Sequence, residues 1–430
     1  MRITRSLQVS DKHHLKKQLL AWAQSYHEVV WLDSNSHQPL YGSFEALLAV
    51  GALTSIKTDV YDGFNKLAEY RQATNDWIFG YLTYDLKNDT ENISSGNYDG
   101  LEFPELLFFQ PLKIFILKDI VMEMHYLNMV ADEMDEDLIA IMQTAVAQTH
   151  RLEKDTVKIK LRIHKDEYHQ KVNTILQHIK RGNIYEANFC QEFYAEAVAL
   201  DPLKSYWHLN EISKPPFATF FKYDSYFLLS ASPERYLRKE NDTVISQPIK
   251  GTARRAVKPE EDTLLKQQLA NDPKERSENI MITDLVRNDL SKTALRGSVK
   301  VEELCKVYSF EQVHQMISTV TAKVNTAIEP VTLLETTFPM GSMTGAPKIA
   351  AMKIIEGLEE TKRGLYSGAV GYFTPRGDFD FNVVIRSILY NAQKQYVSFS
   401  VGSAITANSV PEKEYEECLV KAKAMREVLE

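Results

Sequence analysis

The sequence predicts an α+β protein in which antiparallel sheets carry helices packed against them. Three observations predict it. β-rich runs separated by polar loops fill the first 150 residues, a clear helical period appears only after them, and the last 60 residues read strand, strand, helix. Regular alternation of strand and helix, the mark of a parallel sheet, is missing.

Each element has its own local reason. Val29-Val30-Trp31-Leu32, Trp77 to Leu82 and Leu106 to Leu117 are rich in β-branched and aromatic residues and read as strands. The densest apolar stretch, Phe44 to Ile56, is too short to cross a bilayer. An acidic helix is expected over Ala131 to Gln148. Tyr168, Val172, Ile175, Leu176 and Ile179 recur at helical spacing, and Gly182 stands where a left-handed terminating residue belongs. Phe217 to Ser230 and Thr243 to Ile249 read as strands, after which Asp272-Pro273 supplies an N-cap and a proline at the first helical position. After Ser409 and Pro411, an apolar stripe of Tyr415, Cys418, Leu419, Ala422, Met425 and Leu429 marks a final helix. Pattern changes alone divide the chain into a region 1–155 and a region 156–430, expected to form one compact unit.

Composition narrows the function. With 430 residues, 44% hydrophobic and 25% charged, disorder, collagen and coiled coil are excluded. The net charge of −8 and the absence of a long basic run leave no electrostatic footprint for nucleic acid. Met1-Arg2-Ile3-Thr4-Arg5-Ser6 has no apolar signal core, so neither export nor membrane insertion is expected. Cys190, Cys305 and Cys418 have neither metal nor redox spacing, which implies a reducing, cytoplasmic setting.

Two acidic pairs stand out. Glu275 and Glu278 are three residues apart, and Glu278 shares a helical face with Ile282 and Leu285. Glu414 and Glu417 repeat that spacing beside the apolar stripe of the last helix. Such pairs are either dipole-favoured surface glutamates with basic partners or carboxylates that meet across a cleft and hold Mg²⁺. Lys250, between Ile249 and Gly251, is either a solvated lysine or a desolvated amine of lowered pKa that can attack carbon. The turn Phe338 to Lys348 feeds a helix and could hold an anion, although it lacks the Gly-Lys-Ser/Thr of a nucleotide loop. Tyr366 and Arg386 bracket an apolar run, where an arginine can grip a carboxylate or close a structural ion pair.

Together these segments resemble the chorismate-utilising enzymes, a family that includes anthranilate, aminodeoxychorismate, isochorismate and salicylate synthases. The markers run from about Leu161 to the C-terminus: Ile184-Tyr185-Glu186-Ala187-Asn188, Ser232-Pro233-Glu234-Arg235, Pro248-Ile249-Lys250-Gly251-Thr252, Glu278-Asn279, Asp284 to Asp289, Gly345-Ala346-Pro347-Lys348 and Glu414-Tyr415-Glu416-Glu417. The resemblance implies a two-layered fold with its active site in the cleft between the layers. It implies that Glu278 and Glu417 bind Mg²⁺ with Glu275 and Glu414 in support. Tyr366 and Arg386 would grip the enolpyruvyl carboxylate, and Gly251, Thr252 and Ser342 would line the ring pocket. Gly402 and Ala404 fall where the family places Gly-x-Gly contacts to a substrate carboxylate, so Ala404 departs from the pattern.

Lysine at position 250 marks the aminodeoxychorismate synthases of this family, whereas anthranilate synthases carry alanine. The implied chemistry is attack of Lys250 on chorismate, then displacement by ammonia from a separate glutamine amidotransferase subunit. Glu186 falls where water-using members carry lysine and ammonia-using members glutamine, and it is expected to handle a proton of the incoming ammonium. Gln315 occupies the family's histidine position, and His314, one residue earlier, is expected to be structural. Leu32-Asp33-Ser34 lies where relatives form a tryptophan site, but carries too little of that pattern to claim one.

Overall fold

The computed structural model describes residues 2–37, 41–146, 157–311 and 313–430. Its strands form one 20-stranded sheet, organised around the long strand Leu106–Lys118. One edge of that strand pairs with Ala46–Thr58. The other pairs with Ile78–Leu82 through residues 106–109 and with Val121–Leu127 through residues 113–118. The sheet therefore forks into two arms.

The first arm continues through Glu28–Asp33, Phe217–Tyr223, Tyr226–Ser232, Ser387–Asn391 and Tyr396–Thr406 to Glu186–Ala195. The second continues from Ile78–Leu82 through Ala369–Phe373, Phe379–Val383, Arg235–Glu240 and Thr243–Gln247 to Val313–Lys323, which also pairs with Ile249–Arg254 and Lys300–Ser309. All these ladders are antiparallel. In both arms strands from before residue 147 are thus continued, in one sheet, by strands from after residue 156.

Alternation along the strands builds two cores. Phe221, Leu228 and Leu389 of the first arm meet Tyr236, Val320 and Phe381 of the second in one core between the arms. The opposite face of the first arm packs against helices Lys12–Trp22, Lys165–Lys180, Pro202–Ser213 and Pro411–Leu429 in the other. Burial of these faces is what holds helices whose intrinsic propensity alone is marginal.

The helix Lys165–Lys180 ends as its spacing predicts, with Gly182 at φ 77° and the N–H groups of Gly182 and Asn183 returning to the carbonyls of Ile179 and His178. The helix Pro273–Ser291 is capped by the Asp272 carboxylate, which accepts from the N–H groups of Lys274 and Glu275.

Three boundaries differ from expectation. The acidic helix covers only Met134–Gln143, preceded by a 3₁₀ segment Asn128–Glu133 broken at Val130, and its expected end at Gln148 falls outside the described residues. The run Phe217 to Ser230 is a hairpin of Phe217–Tyr223 and Tyr226–Ser232. Its turn places Asp224 at φ 51°, which aspartate tolerates, and no glycine or proline marks it. The run Thr243 to Ile249 divides at Pro248, which has no N–H to give a ladder, so that Ile249 opens a new strand. No described helix is long and apolar enough to cross a membrane.

Candidate active site

At the end of the arms farthest along the sheet from Leu106–Lys118 lies a cleft of about 520 Å³. Strand Ile249–Arg254 contributes Lys250, Gly251 and Thr252, helix Pro273–Ser291 contributes Glu275 and Glu278, strand Tyr396–Thr406 contributes Gly402 and Ala404, and the last helix contributes Glu417. Ser342, Tyr366 and Arg386 complete the wall. Two of the expected residues do not line it. Glu186 stands just behind, bonded to Lys250, and Glu414 is buried behind Gly402, accepting a short hydrogen bond from the Ser403 hydroxyl.

Lys250 is neither a solvated lysine nor an amine of lowered pKa. Its ammonium donates to Glu186 Oε1 at 3.2 Å with its side chain 15% exposed. Burial alone would lower its pKa, but the carboxylates of Glu186, Glu278 and Glu234 outweigh burial and hold it above the usual lysine value. The expectation of a lowered pKa is therefore corrected: the resting amine is protonated, and it needs a base before it can attack. Glu186 Oε1 already holds the hydrogen bond along which that proton would move, while its Oε2 is buried without a partner. Asn279 fixes the lysine's backbone, its amide donating to the carbonyls of Lys250 and Met316.

Among the described residues no three His, Cys, Asp or Glu side chains converge as a complete metal-ligand set. The carboxylates nevertheless fit a cation that keeps much of its water shell, as Mg²⁺ does. Glu278 Oε1 is buried with no hydrogen bond, and burial, with Glu186 and Glu275 nearby, pushes this carboxyl up to about 7 against the pull of Lys250 and Lys274. Glu275 is also raised, by burial first and then by Asp272 and Glu417. Glu417 differs: burial would raise it, but Lys421, at 2.6 Å, with Lys274 and Lys250 holds it below the usual range.

Arg386 lines the cleft at φ 53°, a strained conformation for a residue with a Cβ. Among the described residues it closes no ion pair, and burial lowers its pKa against the opposing pull of Tyr366 and Glu417. An unpaired guanidinium in a cleft is a seat for a carboxylate. Tyr366 lies beside it, its hydroxyl 3.7 Å from Cys190 Sγ. A Cβ at Gly402 would come within 2.6 Å of that sulfur and 3.3 Å of the Tyr366 hydroxyl, so this wall needs glycine. Ala404 extends the same wall.

The two neighbours on strand Val313–Lys323 face opposite ways, as strand alternation requires. Gln315 lines the cleft. His314 is buried on the other side, its Nδ1 2.9 Å from the Ser309 hydroxyl and its Nε2 3.1 Å from Asp262 Oδ1. The glycine turn before Lys348 holds no open anion seat of the lysine's making, because its ammonium is bound by Asp289 and by the Thr337 carbonyl.

One acidic side chain in the cleft was not singled out from the sequence. Glu234 lines the cleft, and burial pushes its carboxyl up to about 7 against the pull of Ser342 and Lys250. Its segment was visible only as a marker; an acid beside the helix-free end of a strand gives no spacing signal of its own.

Comparison with known proteins fits this geometry. A family described as chorismate binding enzyme matches residues 26–427. The chain belongs to the chorismate-binding enzyme family. Among curated members it is 42% identical over 270 residues, 62% of this chain and 30% of that protein, to the probable chloroplastic aminodeoxychorismate synthase of Oryza sativa subsp. japonica. It is 37% identical over 266 residues, 62% of this chain and 58% of that protein, to aminodeoxychorismate synthase component 1 of Escherichia coli strain K12. The match to the anthranilate synthase component I-like protein of Synechocystis is longer, 33% over 359 residues, covering 82% of this chain and 72% of that protein. The chain thus spans less than two thirds of several of these relatives. Among solved structures, anthranilate synthase component I from Streptococcus pneumoniae TIGR4 superposes with a TM-score of 0.78 at 26% identity over 91% of this chain and 94% of that one. The family's two-layered α+β fold is the one described above.

Proposed function

We propose that this chain aminates chorismate to 4-amino-4-deoxychorismate, using ammonia from a separate glutamine amidotransferase subunit. The observation that carries the reading is Lys250, a buried amine opening into the cleft with one carboxylate, Glu186, bonded to it and a second, Glu234, poised near neutrality.

Lys250 passes its proton to Glu186 Oε1, and the freed amine forms a bond to ring carbon 2. Both ring double bonds shift, from carbons 1–2 to 1–6 and from 5–6 to 4–5, the bond from carbon 4 to its hydroxyl breaks, and Glu234 gives its proton so that water leaves. Ammonium then yields a proton to Glu234, and the resulting ammonia bonds to carbon 4 as the bond from carbon 2 to Lys250 breaks. Lys250 recovers its proton from Glu186. Every group returns to its starting state, and the sum is chorismate plus ammonium giving amino product plus water. Glu186 thereby serves the lysine amine in this scheme, rather than the ammonium.

Arg386 and Tyr366 would hold the enolpyruvyl carboxylate, with Gly251, Thr252 and Ser342 against the ring and the strand at Gly402 and Ala404 beside the second carboxylate. Mg²⁺ held by Glu278 and Glu417, with Glu275 and Glu414 behind them, would neutralise the ring carboxylate and the charge that develops as hydroxyl leaves. Gln315 cannot act as a base, so the ring proton stays and pyruvate is retained.

The partner follows from the chemistry and from relatives called component 1 in Klebsiella aerogenes and E. coli. The three thiols of this chain are free and buried, none of them presented to glutamine. The product would serve p-aminobenzoate and folate synthesis in the cytoplasm. Mass identification of the product from chorismate, ammonium and Mg²⁺ tests the reading. Anthranilate would assign the chain to the other branch, and no turnover at all would make it a chorismate-binding subunit without catalysis.

A further inference from the structure

Arg363 does not line the cleft, yet it ties together the pieces that do. It is buried, and its Nε and Nη2 grip both oxygens of Glu359 at 2.9 and 2.7 Å. Its Nη1 donates to the Met343 carbonyl at 2.7 Å and its Nη2 to the Asn188 carbonyl at 2.7 Å. Glu359 in turn accepts from the Cys190 N–H at 2.9 Å. One guanidinium and its counter-ion therefore bind strand Glu186–Ala195 at two successive inward residues and the 3₁₀ turn Gly341–Met343 at its end.

Those two segments are adjacent parts of the cleft wall, joined also by the Asn188 N–H donating to the Thr344 carbonyl and by the pairing of Gly345–Ala346 with Ala187 and Glu186, and the guanidinium backs that junction. Asn188, Ser342 and Met343 face into it, and Tyr366, whose N–H returns to the Arg363 carbonyl, faces it too. Glu186, the partner of Lys250, lies two residues before Asn188 on the clamped strand. The guanidinium also lies 4.4 Å from the Tyr84 ring, which seats its plane. Lysine has no planar fork and cannot hold a bidentate carboxylate and two diverging carbonyls at once.

We propose that Arg363 is a positioning residue, which together with the backbone pairing there fixes the junction of the Glu186–Asn188 segment with the Ser342–Met343 turn and thereby the fit of the cleft to its substrate. Chorismate enters only the kinetic half of the test, which rests on the function proposed above; the other half needs no substrate.

The experiment compares Arg363→Lys, Glu359→Asp and, as a control for stability alone, Ile141→Val in the helix Met134–Gln143, which packs on Lys12–Trp22 and lines no part of the cleft. Glu359→Asp keeps both charges and draws the guanidinium back by one methylene, so it remains informative if Arg363→Lys does not fold. The KM for chorismate rises about tenfold in Arg363→Lys and about threefold in Glu359→Asp, because a shift of an ångström at a reacting centre is amplified. Ile141→Val lowers the melting temperature and leaves KM alone. In parallel, labelling of Lys250 by trinitrobenzenesulfonate across pH moves to lower pH in both clamp variants as Glu186 is released from the amine. Unchanged KM and unchanged labelling, with only a lower melting temperature, overturn the proposal. A wild-type protein that labels normally but does not turn over chorismate refutes the proposed function instead, and the labelling shift alone then decides the role of Arg363.

Discussion

Replacing Glu186 by glutamine isolates the charge that governs Lys250. The amide keeps an oxygen where Oε1 now accepts from the ammonium at 3.2 Å, and it removes one negative charge. At an effective dielectric near 20 the attraction at that distance is about 5 kcal/mol. Full conversion would move the lysine by nearly four pKa units, but pairs at such range shift by roughly one to three. With the side chain 15% exposed and an amide dipole left in place, the lysine pKa falls, by less than the full Coulomb attraction would give. The sign follows directly: the carboxylate favours the ammonium, so its loss favours the free amine.

The assay is formation of the Lys250 adduct with chorismate in the absence of ammonium, followed by quenching and intact mass. In the wild type, transfer within the pair supplies the amine, and the rate stays nearly flat through neutrality. In Glu186→Gln the pair no longer transfers the proton, so the rate follows deprotonation of the lysine by solvent and loses its flat profile. It then climbs tenfold per pH unit until the lowered lysine pKa is reached. A variant with the wild-type rate and the same flat profile would refute the idea that Glu186 takes the proton.

Further outcomes follow from the same geometry. Lys250→Ala abolishes the adduct and product formation while chorismate still binds; equal loss of binding and turnover counts against a nucleophile. Glu278→Gln raises the Mg²⁺ concentration needed for half-maximal activity, and an unchanged titration removes Glu278 from the metal site. Because the Glu278 carboxyl sits near 7 in the fold against 4.5 in a free chain, the folded state holds an extra proton between those values, and its contribution to stability falls as pH rises through that window. Mg²⁺ therefore raises the melting temperature more at about pH 8 than at about pH 5.5, and this difference disappears in Glu278→Gln. Gln315→His releases some pyruvate if that position governs elimination, which a coupled lactate dehydrogenase assay reads; none appearing leaves Gln315 without that role. Gly345→Ala destabilises the chain, since the new Cβ would sit 2.2 Å from the Glu186 carbonyl; a melting temperature equal to wild type contradicts that contact.

Much of the site was legible because its chemistry repeats in local patterns. Glu278 was visible through Ile282 and Leu285, its neighbours on one helical face, and the start of that helix through Asp272-Pro273. Gly182 and the strand alternation that separates His314 from Gln315 were equally local. What could not be read depends on contacts distant in sequence. Lys250 was assigned an environment from its own strand, whereas its pKa is set by Glu186, Glu234 and Glu278, brought to it from two other strands' ends and a helix. Arg363 has a near partner in Glu359, but the carbonyls of Met343 and Asn188 that give it its place are distant in sequence. The hairpin turn at Asp224 carries no glycine or proline, so Phe217 to Ser230 reads as one strand.

The fork at Leu106–Lys118 has a practical consequence for anyone shortening this protein. Every side chain that lines the cleft comes from Asn188 onward. Yet Glu28–Asp33 and Ala46–Thr58 form the bridge from one half of the jaw to the hinge, and Ile78–Leu82 forms the bridge from the other. A fragment trimmed to the reactive residues would retain both gripping tips and lose the pivot that aims them at each other.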